Sequence, residues 1–150
     1  MRSDDRHPST LGTRVSVIDA ARLAVCRLDA SAVLPDWLAD RGGFVSVTRT
    51  TEELSIICPD EFVPPGVRCE RGFRLVKVEG PLPFDAIGII ARLAGVLAAA
   101  QISLIAVGTF ETDYVLIKDD RRESAIAALR AAGFEVTLEG PEAHGSARMA

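Results

Sequence analysis

FRLVKVEGPLPFDAIGIIARLAGVLAAAQISLIAVGTFETDYVLIKDDRRESAIAALRAAGFEVTL, residues 73–138, decides the fold. Phe73 to Val78 is apolar with β-branched residues and reads as a strand. Gly80-Pro81-Leu82-Pro83 stops it. Asp85 stands where an N-cap belongs, so a helix is predicted from there to about Ala100. Ile102 to Phe110 reads as a strand, Glu111-Thr112 turns the chain, and Asp113 to Lys118 pairs back. Asp120 followed by Glu123 resembles a capping box that opens a helix through Ala132. Its Ile126 and Leu129 are predicted to face inward, and Arg121, Arg122 and Arg130 to face water. Gly133 suits the C′ position, and Phe134 to Leu138 completes the set as a strand. The order is β–α–β–β–α–β, the ferredoxin-like pattern.

Upstream, the same plan recurs in reduced form. Leu23 to Leu28 reads as a strand and Pro35 to Ala39 as a short helix or turn. Phe44 to Arg49 alternates, with Val45 and Val47 on one face and Ser46 and Thr48 on the other, which predicts a half-buried strand. Leu54 to Cys58 returns as the second arm of a hairpin. Pro59 to Val63 forms at most one helical turn before Pro64-Pro65-Gly66. Laying Val47 on Val107, an offset of 60 residues, brings Leu54 onto Tyr114, Ile56 onto Leu116 and Ile57 onto Ile117. The prediction is therefore an α+β chain of two tandem βαββαβ units with antiparallel sheets, joined edge to edge so that few strand edges stay exposed. The units run over 14–72 and 73–139, flanked by loose tails at 1–13 and 140–150.

Composition narrows the class. The chain has 150 residues, 48% hydrophobic and 25% charged, a globular balance. Aromatics are only 5%, so aliphatic side chains must do most of the packing. A net charge of −4 removes the electrostatic driver of non-specific nucleic-acid binding. Cys26, Cys58 and Cys69 form no C-x-x-C pair and read as free thiols in a reducing compartment. Residues 1–13 are polar and mixed in charge, so no secretory leader is expected and the cytoplasm is the predicted location. Residues 86–107 approach a membrane span in length, but Arg92, Gln101 and Ser103 interrupt them. A mid-membrane Arg costs roughly 2.5–3.5 kcal/mol. The run reads instead as a buried helix followed by a strand, with no membrane partner.

Catalysis finds little support in the residues. Both histidines, His7 and His144, lie in the tails, which disfavours His-based acid–base chemistry. No metal-ligand spacing, Walker loop or G-x-G-x-x-G appears in the ordered part, so neither metal nor cofactor is expected. Two features point to binding. The loop from Gly80 to Gly88 delivers a strand into a helix N-terminus, whose unpaired N–H groups and dipole favour an anion such as a carboxylate. Thr109-Phe110-Glu111-Thr112-Asp113 caps the adjacent hairpin, and Asp113 is placed to accept an amino or guanidinium group. Together they offer both charges of a zwitterion. The bland alternatives are that Asp85 is only a cap, Gly88 a packing glycine and Asp113 part of a solvated turn. The helix from Asp85 is apolar almost all round, which predicts cover on two sides, by its own sheet and by the other repeat or a second chain, and its Arg92 either reaches a ligand across an interface or snorkels to water. Tyr114 and Trp37 read as core or interface anchors.

The segments FVSVTRT (44–50), GPLPFDAIGIIARLAGVLAAAQIS (80–103) and TFETDYVLI (109–117) resemble the ACT-domain amino-acid sensors of the CASTOR type, which are related to aspartate kinase regulatory domains. The resemblance covers about Leu23 to Gly133. It implies tandem ACT units, an allosteric regulatory role without catalysis, and a ligand held between neighbouring units. The family's binding loop matches Asp85-Ala86-Ile87-Gly88-Ile89, preceded by Phe84, and its hairpin aspartate matches Asp113 beside Thr109 and Phe110. The arginine sensor carries a glutamate where this chain has Ala86, so a neutral amino acid, or no ligand, is implied as an alternative to arginine. Four ACT units in the full sensor against two here imply a homodimer. A ligand-free interaction module with an unidentified protein partner is the other reading.

Overall fold

The computed structural model describes residues 13–38, 42–83 and 85–140. The tails and both histidines lie outside these, as do Ala39 and Phe84. Among the described residues, seven strands and two helices follow in chain order: β1 (Arg14–Leu28), β2 (Ser46–Arg49), β3 (Leu54–Pro59), β4 (Cys69–Val78), α1 (Ile89–Ala99), β5 (Ile105–Gly108), β6 (Asp113–Lys118), α2 (Arg122–Ala131) and β7 (Glu135–Glu139). Short 3-10 turns stand at Asp36–Leu38, Asp60–Phe62 and Asp119–Arg121. The strands form one sheet in the order β2-β3-β1-β4-β6-β5, and β7 also pairs with β1.

The second half keeps the β–α–β–β–α–β order. In the first half, 3-10 turns stand where helices would be, because Pro35, Pro59, Pro64 and Pro65 leave no room for a longer helix. Two strands run further than the sequence reading predicted. β1 starts nine residues before Leu23, and β4 starts at Cys69. The first part of β1 lies between β4, which it pairs antiparallel (Val15↔Val78), and β7, which it pairs parallel (Val15↔Val136). The sheet is thus antiparallel except for β1–β7. The division drawn at 72/73 falls inside β4.

Side-chain alternation sorts the core by face. α1 and α2 cover Val15, Val17, Val76, Val78, Val115 and Ile117 through Leu93, Leu97, Ile126 and Leu129. Along the same face, the 3-10 turns cover Ala24, Cys26, Leu54, Ile56 and Cys58 through Leu38, Val63, Trp37 and Phe62. The opposite face carries Leu23, Ile57, Phe73, Leu75 and Leu116, and among the described residues no helix packs there. Register shifts in β1 between Ile18 and Val25 keep both halves' apolar side chains on their proper faces.

The two hairpins close alike. Arg49↔Leu54 and Gly108↔Asp113 each bracket a four-residue turn. Thr50 opens one turn and accepts from the N–H groups of Glu52 and Glu53. Thr109 opens the other, where its hydroxyl accepts from Thr112 N–H and donates to Thr112 O. A 3-10 turn follows each second arm, at Asp60 and at Asp119. The offset between them is 59 residues rather than 60 (Thr50 to Thr109). One residue matters, because it returns Ile56 and Val115 to the helix-covered face and Ile57 and Leu116 to the open one.

Several local expectations are corrected. α1 begins at Ile89 with Gly88 as its N-cap at φ +86, not at Asp85. The capping box at Asp120 and Glu123 does not form; α2 starts after a 3-10 turn, with Arg121 as N-cap and no side-chain cap bond. Gly133 does take positive φ after the C-cap. Within the single chain α1 is covered on one side, and Ala91, Gly95, Ala98 and Ala99 are exposed on the other, so the other half of the chain does not supply the second cover. Val45 and Val47 are both 42% exposed, so their strand buries less than its pattern suggested. Arg122 does not face water; it grips both oxygens of Asp19. Arg121 is half-buried and donates to Ala100 O. Arg92 does not snorkel to water. Its guanidinium donates to Ala132 O and lies 5.0 Å from the Phe134 ring, tying α1 to the end of α2.

All three cysteines are free; Cys26 and Cys58 are buried and Cys69 is half-buried. Burial, followed by the neighbouring thiols Cys58 and Cys69, pushes Cys26 from 9.0 up to about 12, and burial raises Cys58 as well. Thiols held protonated and out of water react slowly. A thiol reagent should therefore modify Cys69 in the native protein well before Cys26 or Cys58, as read by mass spectrometry. The sign of the pH dependence follows. The folded Cys26 thiol binds its proton more tightly than the unfolded one, so its contribution is full below about pH 9 and declines as pH rises toward 12. Urea midpoints should fall over that interval, and Cys26→Ala should flatten the decline.

Candidate functional site

Thr112 decides how the site is built. It sits in a polar turn yet is buried, and its hydroxyl donates to Val78 O at the end of β4. Leu82 N–H donates to Glu111 O at 2.7 Å, so the segment after β4 is laced to the β5–β6 turn. Gly80 allows that approach, since a Cβ there would stand 2.9 Å from Glu111 O. The chain then turns at Pro83–Ala86 (Ala86 N–H to Pro83 O, 3.0 Å) and enters α1 through Gly88.

Between these walls lies a cavity of about 140 Å³. Of the sequence-predicted site residues, Ala86, Gly88, Ile89, Thr109, Phe110 and Asp113 line it. Asp85 and Ile87 are exposed and outside the lining, and Phe84 lies outside the described residues. Leu82 and Pro83 from the Gly80–Gly88 loop, Glu111 and Thr112 from the Thr109–Asp113 turn, and Ile90 line it too, although none of the five was named as a ligand contact. The alternation of Thr with acidic residues in the turn gave no sign that Thr112 points inward.

The electrostatics of the two walls are opposite. α1 has no side-chain cap, and its first bond is Arg92 N–H to Gly88 O at 3.0 Å. The N–H groups of Ile89, Ile90 and Ala91 therefore have no intrahelical partner and present the positive end of the dipole. Across the cavity, Asp113 is half-buried, and its Oδ1 would lie 3.5 Å from a Cβ on Gly108. Among the described residues its carboxylate has no hydrogen-bond or ion-pair partner. Phe110 (79% exposed) and Ile87 (81%) flank the region as apolar side chains open to solvent. Among the described residues no group of three His, Cys, Asp or Glu side chains could hold a metal ion, and no helix is long and apolar enough to cross a membrane.

Comparison with known proteins places this geometry. The ACT domain family model matches residues 68–131, and a second model, described as an N-terminal domain, matches residues 22–66. With the α+β sheet, the match defines the class: the chain carries an ACT domain over residues 68–131. The chain is similar to a protein of Agrobacterium tumefaciens of known structure, at 35% identity over 85% of this chain and 94% of that one, with a TM-score of 0.79. It is also 44% identical over 59 residues to the human protein named cytosolic arginine sensor for mTORC1 subunit 1. That match takes in 39% of this chain but only 18% of the sensor. The regulatory subunit of aspartate kinase from Thermus thermophilus shares the fold at 14% identity, with a TM-score of 0.56 over 81% of this chain and 98% of that one.

The lacing of the two walls is testable without a ligand. Thr112→Val keeps the shape but leaves Val78 O without its donor. An unsatisfied buried polar group costs about 1–3 kcal/mol. Urea unfolding of the variant should show a loss in that range.

Proposed function

We propose that this chain is a non-catalytic regulatory module of two ACT-like units, 14–72 and 73–139, that binds a free amino acid. The ligand's carboxylate takes the N–H groups at the start of α1, and its ammonium pairs with Asp113. One observation carries the reading: an unpartnered, half-buried carboxylate faces an uncapped helix N-terminus across one small cavity. At about 140 Å³ the cavity accommodates an amino-acid head group, whereas whole-ligand sites run to roughly 300–1,000 Å³. The side chain then extends out past Phe110 and Ile87, where a second copy of the chain would enclose it. A homodimer supplies that cover. The absence of a carboxylate at Ala86 favours a neutral side chain. The human relative's printed name as an arginine sensor supports the amino-acid class. Residence in the cytoplasm and a downstream protein partner belong to the same reading, since binding shifts a regulatory equilibrium only through unequal affinity for its states.

A second reading rests on that same Ala86 and on the exposed Ile87 and Phe110: an ACT-fold interaction module without ligand. A thermal-shift panel of free amino acids separates the two. A ligand at 100 times its Kd stabilises by about 2.7 kcal/mol. One amino acid should raise the melting temperature saturably, and Asp113→Ala should abolish the rise while the variant alone melts near the parent. A flat panel at millimolar concentrations, or an unchanged response in Asp113→Ala, would favour the interaction module.

A further inference from the structure

We propose that the helix-free face of the sheet carries a second ligand site, for a free amino acid with a large apolar side chain. The cavity there is about 400 Å³, within the roughly 300–1,000 Å³ of small-molecule sites. Ile18, Leu23 and Leu75 form its floor. Leu23 and Leu75 are buried, at 2% and 6% exposure. Phe44 and Tyr114 supply its aromatic side, their ring centroids 5.0 Å apart and the planes tilted by 56°. The space exists because β1 loses register with β4 between Ile18 and Leu23 and places Ala20 and Ala21 there. Larger side chains at those two positions would fill it.

The charges name the ligand. Lys77 and Glu139 also line the cavity, and both are half-buried. Among the described residues neither has a hydrogen-bond or ion-pair partner. Lys77 pairs across from Ser16 and Glu139 from Ile18, so the two lie on strands flanking β1. Two strand spacings of about 4.8 Å and a two-residue stagger of about 6.6 Å put their Cα atoms roughly 12 Å apart. The two side chains make no ion pair with each other, and a bridging group that carries both charges suits the span between them. A carboxylate on Lys77 and an ammonium on Glu139 satisfy both, and the apolar body enters the cup against the two rings. A simple fatty or aromatic acid would leave Glu139 unpaired. An amine alone would leave Lys77 unpaired.

The site is separate from the one at α1. Val115 packs under the helices, whereas Tyr114 and Leu116 lie on the open face, so alternation along β6 points Asp113 and Tyr114 to opposite sides. The proposal therefore stands or falls independently of the first cavity.

The test is a ¹⁵N NMR titration of the full chain with L-phenylalanine. Saturable shifts are expected at Ile18–Leu23, Lys77 and Tyr114. Ala21→Leu should weaken binding by at least about tenfold by filling the cup. Lys77→Met should weaken it by about tenfold, and phenethylamine, which lacks the carboxylate, should bind the parent equally weakly and be indifferent to that substitution. Should Ala21→Leu fail to fold by circular dichroism, Phe44→Ala, which removes a ring held by a loop, gives the same reading. Shifts confined to Ile89–Ala91 and Gly108–Asp113 would overturn the proposal, as would no saturable shift at millimolar ligand. So would light scattering that shows a dimer dissociated by Ala21→Leu, because the face would then be a contact between copies.

Discussion

The backbone of β1 is hydrogen-bonded to three other strands, and the arrangement of everything else depends on that. Its first part holds β7 and β4 apart, and its second part pairs β3 and β4. The junction falls at Asp19-Ala20-Ala21-Arg22, where pairing with β4 lapses. Charge fills the gap on the helix-covered side. Arg122, from the start of α2, grips Asp19; Arg74, from β4, donates to Asp119 and to Asp19 O. Arg22 completes the set on Asp119 at 3.1 Å. The hydrogen bond from Arg74, ahead of all other causes, holds the Asp119 carboxyl below its usual range. Such a cluster stabilises only while all its members are present, because removing one leaves another half-buried charge without compensation. It locks α2, and with it the ACT fold's second helix, to the strand shared by both halves.

The same duplicated hairpin has two different fates. Both turns open on threonine and close with the same pairing. Where the second has Asp113, the first has Leu54, which is 1% exposed and part of the core. The first half also lacks an α1, so it has no helix N-terminus to face such a carboxylate. An anion site and a cation site arise together only in the second half.

Strand and helix order in residues 73–138 was legible because breakers and periodicity agree there. Helix starts were less so. Asp85 satisfies the rule for caps, but the positive φ that turns the chain is available at Gly88, and glycine takes it without a Cβ penalty. The apolar run through α1 looked like a helix buried all round because Ala and Gly count as apolar even where Ala91, Gly95, Ala98 and Ala99 meet solvent. The long first part of β1 was invisible for a different reason. Asp19 to Arg22 interrupts the alternation with residues of low strand propensity, and nothing local reveals that Arg14–Ile18 pairs with segments about 60 and 120 residues away. At the site, charge and spacing named Gly88 and Asp113. Thr112, which holds the walls together, showed no local sign, since its role depends on Val78 lying across a tertiary contact.

β6 is the strand along which any exchange between the two faces would pass. It is hydrogen-bonded on both sides, to β4 and β5, and Val115, Leu116 and Ile117 are fully buried. Such a strand is poorly suited to sliding, because close-packed interiors do not deform continuously. The more adjustable parts are at the margins. The stretch Asp85–Gly88 is exposed, and the helix it leads into contributes only Leu93 and Leu97 as buried side chains. A ligand between Asp113 and the start of α1 would therefore act chiefly on the position of that stretch, against a sheet that stays fixed. The exposed Ile87 and Phe110 stand at the rim of that movement. In the proposed reading, occupancy of the cavity would be felt at the rim rather than through the sheet.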